Sequence, residues 1–183
     1  NEFWIETGKA ISWWFVISSI ANMGWILAWH YGRYSLSLIL MLTILASLLL
    51  IYLRLGIGIG ETIPSQKWAV HLPFSVYLGW ITVATVANIT ALLVHNNWTG
   101  FGVPECVWAI IVIAVAACIT IVVLYTRRDY AYALVVLWAF LGIFIARTQG
   151  AIPDRSVATG TIVAGLCVVL AGIWVYIREY RRI

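Results

Sequence analysis

Charge is what this sequence has least of. Only 10% of its 183 residues are Asp, Glu, Lys or Arg, against about 25% in a soluble globular domain. None of the four falls between Pro73 and Val94 or near the middle of any other long apolar run. That scarcity argues against a proton pump or a charge-coupled transporter, which work through ionisable groups inside the membrane. It also leaves no paired acid and base in the hydrocarbon region for hydrolytic chemistry. Cysteine is nearly as rare. Cys106, Cys118 and Cys167 show no paired spacing, so neither a disulfide framework nor a zinc site is indicated, and packing is the better reading of all three. Hydrophilic domains and low-complexity segments are absent. The net charge of +4 comes from basic residues dispersed over short loops, which is no surface for nucleic acid.

What is present is apolar. Hydrophobic residues make up 63% of the chain, and the mean hydropathy is +0.98. Six spans follow, near 10–30, 34–54, 71–94, 104–125, 130–147 and 156–177. Each is close to the roughly 20 residues that cross a bilayer as a helix. Long unbroken apolar runs favour helices over a barrel, whose strands alternate in polarity over about 10 residues. The expected fold is therefore all-α, a polytopic transmembrane helical bundle with residues 1–183 as one membrane domain. The first span is long, Trp-rich and without a small-residue cleavage site, unlike a signal peptide.

Basic residues set the orientation. Lys9, Arg54, Lys67, Arg127, Arg128, Arg178, Arg181 and Arg182 lie on the side of the termini, and Arg33, Arg147 and Arg155 on the other. Eight against three places both termini in the cytoplasm.

Several short motifs have plain explanations. The glycines of "LGIGIGETIP" (55–64) follow a membrane span instead of a strand, so the segment reads as a loop. "NWT" at 97–99 is a glycosylation sequon that matters only in a secretory-pathway host. Sterol-type patterns at Leu50–Tyr52–Arg54, Val122–Tyr125–Arg127 and Leu170–Tyr176–Arg178 are more simply a Tyr and a snorkelling Arg at the interface. His30, His71 and His95 sit at span ends, where interfacial hydrogen bonding is the usual role and haem ligation the rarer one. In the sixth span Gly160, Ala164, Gly165, Ala171 and Gly172 form a small-residue pattern for close packing within the chain, or for a homodimer.

Two faces stand out. In "YLGWITVATVAN" (77–88), Tyr77, Trp80, Ala84 and Asn88 recur at helical spacing; in "SSIANMGWILAW" (18–29), so do Ser18, Asn22, Trp25 and Trp29. The first and third spans should run parallel. Counted from their cytoplasmic ends, Trp25 and Asn88 stand 15 and 17 residues in, within about 3 Å in depth. One account is packing, with amides bonded across helices and Trp filling the core. The other is an intramembrane pocket, with aromatic faces for a flat apolar ligand and amides for its polar edge. Both fit this spacing.

"N-x-x-W" at Asn22–Trp25, followed by a span and then "Y-L-x-W-x-x-x-A-x-x-x-N" at Tyr77–Asn88, resembles the TspO/MBR family of translocator proteins and bacterial tryptophan-rich sensory proteins. The 11 Trp agree. The resemblance covers residues 12–95, a three-helix region matching the third to fifth helices of that five-helix family, with three additional transmembrane helices over 104–177. It points to the extended bacterial form lacking its N-terminal helices: the family's first two, with the loop that covers the pocket, are not among these 183 residues and would complete the pocket only if they precede Asn1. It implies an integral protein of the bacterial plasma (inner) membrane that binds a tetrapyrrole (porphyrin or haem) or another flat apolar ligand, non-covalently, as receptor or carrier. Asn22, Trp25, Trp29, Tyr77, Trp80, Ala84 and Asn88 are the site residues it suggests. Membrane lipid and that small ligand are the expected partners. An alternative is a structural accessory subunit docked on a larger membrane complex. An enzyme modifying tetrapyrroles is a third reading, with no catalytic residue evident.

Overall fold

The computed structural model describes residues 2–59 and 62–181. No strand occurs among them, and six helices are long and apolar enough to cross a membrane. We number these α1 (Glu2–His30), α2 (Tyr34–Arg54), α3 (Pro64–His95), α4 (Glu105–Arg127), α5 (Tyr130–Gln149) and α6 (Arg155–Tyr180). The all-α transmembrane expectation holds. The chain divides into two compact units, Asn1–Trp98 and Thr99–Ile183.

In the first unit α2 is the shared partner, packed against both α1 and α3. Its buried residues Ser37, Met41, Ile44, Leu48 and Ile51 recur every three or four positions, one stripe along the helix. Met41, Ile44, Leu48 and Ile51 are almost fully enclosed and form the core. Phe15 of α1 also meets Phe74 of α3 edge to face, with ring centroids 6.2 Å apart. The third helix begins earlier than its apolar run suggests. Pro64 supplies a first-turn residue with its φ already helical, and Lys67–His71 form a π turn before regular α-helix resumes at Leu72. Proline at 73 cannot donate to the carbonyl of Ala69, four residues back. That carbonyl lies inside the π turn, where the wider register absorbs the defect.

In the second unit α6 packs against both α4 and α5, which also touch each other. Asp129 caps α5 by accepting from the Tyr132 N–H at 3.0 Å, and Asp154 caps α6 by accepting from Ser156 and Val157. The glycines of α6 face its neighbours: a Cβ on Gly160 would stand 3.2 Å from Ile110 of α4, and one on Gly165 3.9 Å from Leu137 of α5. The small-residue stripe thus serves packing inside the chain. All three cysteines are free.

Candidate ligand face of the first helical unit

Asn88 is the most enclosed of the seven residues expected at a site, 2% exposed. Its Nδ2–H donates to Ser37 Oγ of α2 at 2.9 Å, and the Ser37 hydroxyl donates back to Asn88 Oδ1 at 3.3 Å. Each buried polar group thereby satisfies the other, as the hydrocarbon region requires. The amide expected to look into a space shared with α1 is engaged with α2 instead. Around α3, at 100° per residue, Tyr77, Ala84 and Trp80 lie about 20°, 40° and 80° from Asn88. Exposure follows that rotation. Tyr77 and Ala84 are half-buried, whereas Trp80 is 53% exposed.

The residues on α1 come together differently. Trp25 and Trp29 have ring centroids 6.3 Å apart with planes tilted 32°. Trp29 meets Tyr34 of α2 edge to face at 5.5 Å, and Tyr34 meets His95 of α3 at 4.8 Å. Four rings therefore form a continuous chain across the three helices, at the end where α1 and α3 finish and α2 begins. Trp29 opens it to the outside, 41% exposed.

Two polar groups beside this chain lack partners among the described residues. The Trp25 Nε1–H is buried without an acceptor. The Asn22 side chain, one turn before Trp25, is half-buried and forms no side-chain hydrogen bond with the described residues. Counting back from His30, Asn22 lies about 12 Å inside the helix end, within the apolar span Thr7–His30. An amide there without a partner costs free energy on the order of 1–3 kcal/mol.

The structure thus brings together Asn22, Trp25 and Trp29 as one stripe and joins Asn88 to α2, with Trp80 turned away. Tyr34 and Ser37 are the residues that sequence reasoning missed. Tyr34 and Ser37 stand at helical spacing from Met41 on α2, but that spacing does not set them apart from the other residues of the same stripe.

Two open grooves mark the surface. One, of about 410 Å³, lies between α1 and α2 along Trp14, Ile17, Leu42, Ala46 and Ser47; the other, of about 180 Å³, lies between α5 and α6 along Leu137, Phe140, Thr161 and Gly165. Neither is lined by the seven expected residues. Among the described residues no group of three or more His, Cys, Asp or Glu could hold a metal ion.

A family profile described as TSPO-like protein matches residues 6–176, spanning all six long helices. No curated protein and no solved structure matches the chain.

Proposed function

The chain belongs to the TSPO-like family and is an integral membrane protein by its six apolar helices, and from that premise we propose that its first unit binds a flat apolar ligand of the tetrapyrrole class, porphyrin or haem. The role is that of a membrane receptor or carrier. One observation carries the reading: a chain of four rings, open at Trp29, is flanked inside the bilayer by two unpartnered polar groups. A macrocycle lying against Trp29 and Trp25 gains apolar burial and offset ring contact, the latter about 0.5–1.5 kcal/mol per pair. Its polar edge accepts from the Asn22 amide and, after a turn of the indole, from the Trp25 Nε1–H. Tyr77 and Trp80 lie farther along α3, more than about 20 Å from its His95 end at the helical rise, so the ligand would rest on the α1 face.

The test is a porphyrin titration of the full chain in nanodiscs, followed by the ligand's absorption shift. Saturation at one porphyrin per chain, reversed by a competing metalloporphyrin, is the expected result. A linear rise with lipid content would mean partitioning and would remove the proposal.

The same unpaired Asn22 amide fits a second reading, the accessory subunit, in which a polar side chain of a neighbouring membrane protein completes it. Gentle detergent extraction separates the two. Repeated recovery with one large partner and no saturable porphyrin binding would establish the accessory role.

Orientation follows the basic residues, with both termini and the Arg127–Arg128 loop in the cytoplasm. In a cysteine-free background, Lys67→Cys should react with an impermeant thiol reagent only after the membrane is opened, and Thr99→Cys from outside intact cells. Reaction of both from the same side would overturn the orientation.

A further inference from the structure

At the loop-side end of α2, Arg54 lies against an aromatic ring and pairs with no acidic group among the described residues. The guanidinium carbon of Arg54 lies 5.5 Å from the centroid of the Trp14 ring, and Arg54 makes no ion pair or hydrogen bond with the described residues. A guanidinium stacked on an indole keeps its N–H fork free in the ring plane, the geometry that takes two phosphate oxygens at once. The same Trp14 also lines the groove between α1 and α2. Along α2 that groove runs from Ile39 to Ser47, about 12 Å at the helical rise. Its two hydroxyls are already spent on their own helix: Thr43 donates to the Ile39 carbonyl at 2.9 Å and Ser47 to the Thr43 carbonyl at 2.8 Å. The groove is therefore an apolar channel with a cation at its mouth.

The geometry points to a bound anionic phospholipid, its phosphodiester on Arg54 and one acyl chain in the Trp14–Ser47 groove. Charge selects among lipids. A zwitterionic headgroup carries its own ammonium beside the phosphate, so Arg54 adds less to it than to a headgroup of net negative charge. The second unit supplies an internal comparison. Arg178 lies 5.2 Å from the Trp174 ring centroid and likewise makes no ion pair with the described residues. Trp174 does not line the groove of that unit. A stacked arginine without an adjoining groove should hold no lipid. The inference is independent of the tetrapyrrole reading, since the two involve different residues at opposite ends of the unit.

The experiment is native mass spectrometry of the full chain released from micelles containing equal phosphatidylglycerol and phosphatidylcholine. The wild type should retain one phosphatidylglycerol in preference to phosphatidylcholine. Arg54→Gln should reduce that retention about fivefold. Ala46→Phe, which fills the groove from an exposed position, should reduce it with Arg54 intact, and Arg178→Gln should leave it unchanged. Millimolar inorganic phosphate should not displace the lipid. Arg54→Lys serves if a larger residue at 46 fails to fold: it keeps the charge, loses the fork and should retain an intermediate amount. Equal retention of the two lipids, equal loss in Arg54→Gln and Arg178→Gln, or displacement by phosphate alone would each overturn the inference.

Discussion

Replacing Asn88 by aspartate should destabilise the first helical unit by about 2.5–3.5 kcal/mol at neutral pH, the cost of a charged side chain inside a membrane helix. The substitution changes almost nothing in shape. It exchanges an amide that both donates to and accepts from Ser37 for a carboxylate that can only accept, at a position 2% exposed. Ser37→Ala should cost less, about 1–3 kcal/mol, because it strands a neutral amide without adding a charge. Thermal unfolding of the full chain in detergent micelles measures both. The deficit of Asn88→Asp should shrink at a pH low enough to protonate the new carboxyl, which can again donate to Ser37. Wild-type stability of Asn88→Asp at neutral pH would mean that water reaches this pair, and the Ser37–Asn88 contact would then belong to a hydrated cavity instead of a packed helix interface.

The helices were legible because each apolar run is close to a bilayer span in length and ends in Arg, His, Gly or Pro. The start of α3 was the exception. A run beginning at His71 hides the seven preceding helical residues, because Pro73 reads as a helix start when a π turn absorbs its missing N–H. Asn88 was legible as a patterned polar residue, whereas its partner was not. A serine or threonine inside an apolar helix usually bonds to its own backbone, as Thr43, Ser47 and Thr85 do here, and nothing in the sequence marks Ser37 as different. Trp80 shows the limit of periodicity. A spacing of eight residues drifts about 80° around a helix, enough to carry one end of a stripe to the exposed side. The resemblance carried by polar and aromatic motifs stopped at residue 95, while the family match continues to 176. Helices α4 to α6 carry no comparable Asn–Trp pattern, so no short motif marked them as part of the family.

Asn22→Leu should act in two opposite directions. In the free protein it replaces a partnerless amide within an apolar span by a side chain of similar volume that lipid solvates well. Stability should therefore rise, by about 1 kcal/mol. Binding should fall, because the polar edge of the macrocycle loses its donor where no water can replace it. A loss of about 1.4 kcal/mol corresponds to a tenfold weaker complex. Trp29→Ala should weaken binding about fivefold through the lost ring contact, with little change in stability, since this indole is already 41% exposed. A packing role predicts another pattern, in which removing these groups alters stability and leaves affinity alone.

The decisive measurement pairs a saturable porphyrin titration in nanodiscs with a melting curve, for the wild type and Asn22→Leu side by side. A ligand face at Asn22, Trp25 and Trp29 predicts a variant that melts higher and binds about tenfold more weakly. Equal affinity in the two proteins, whatever their melting temperatures, would show that this face does not hold the ligand.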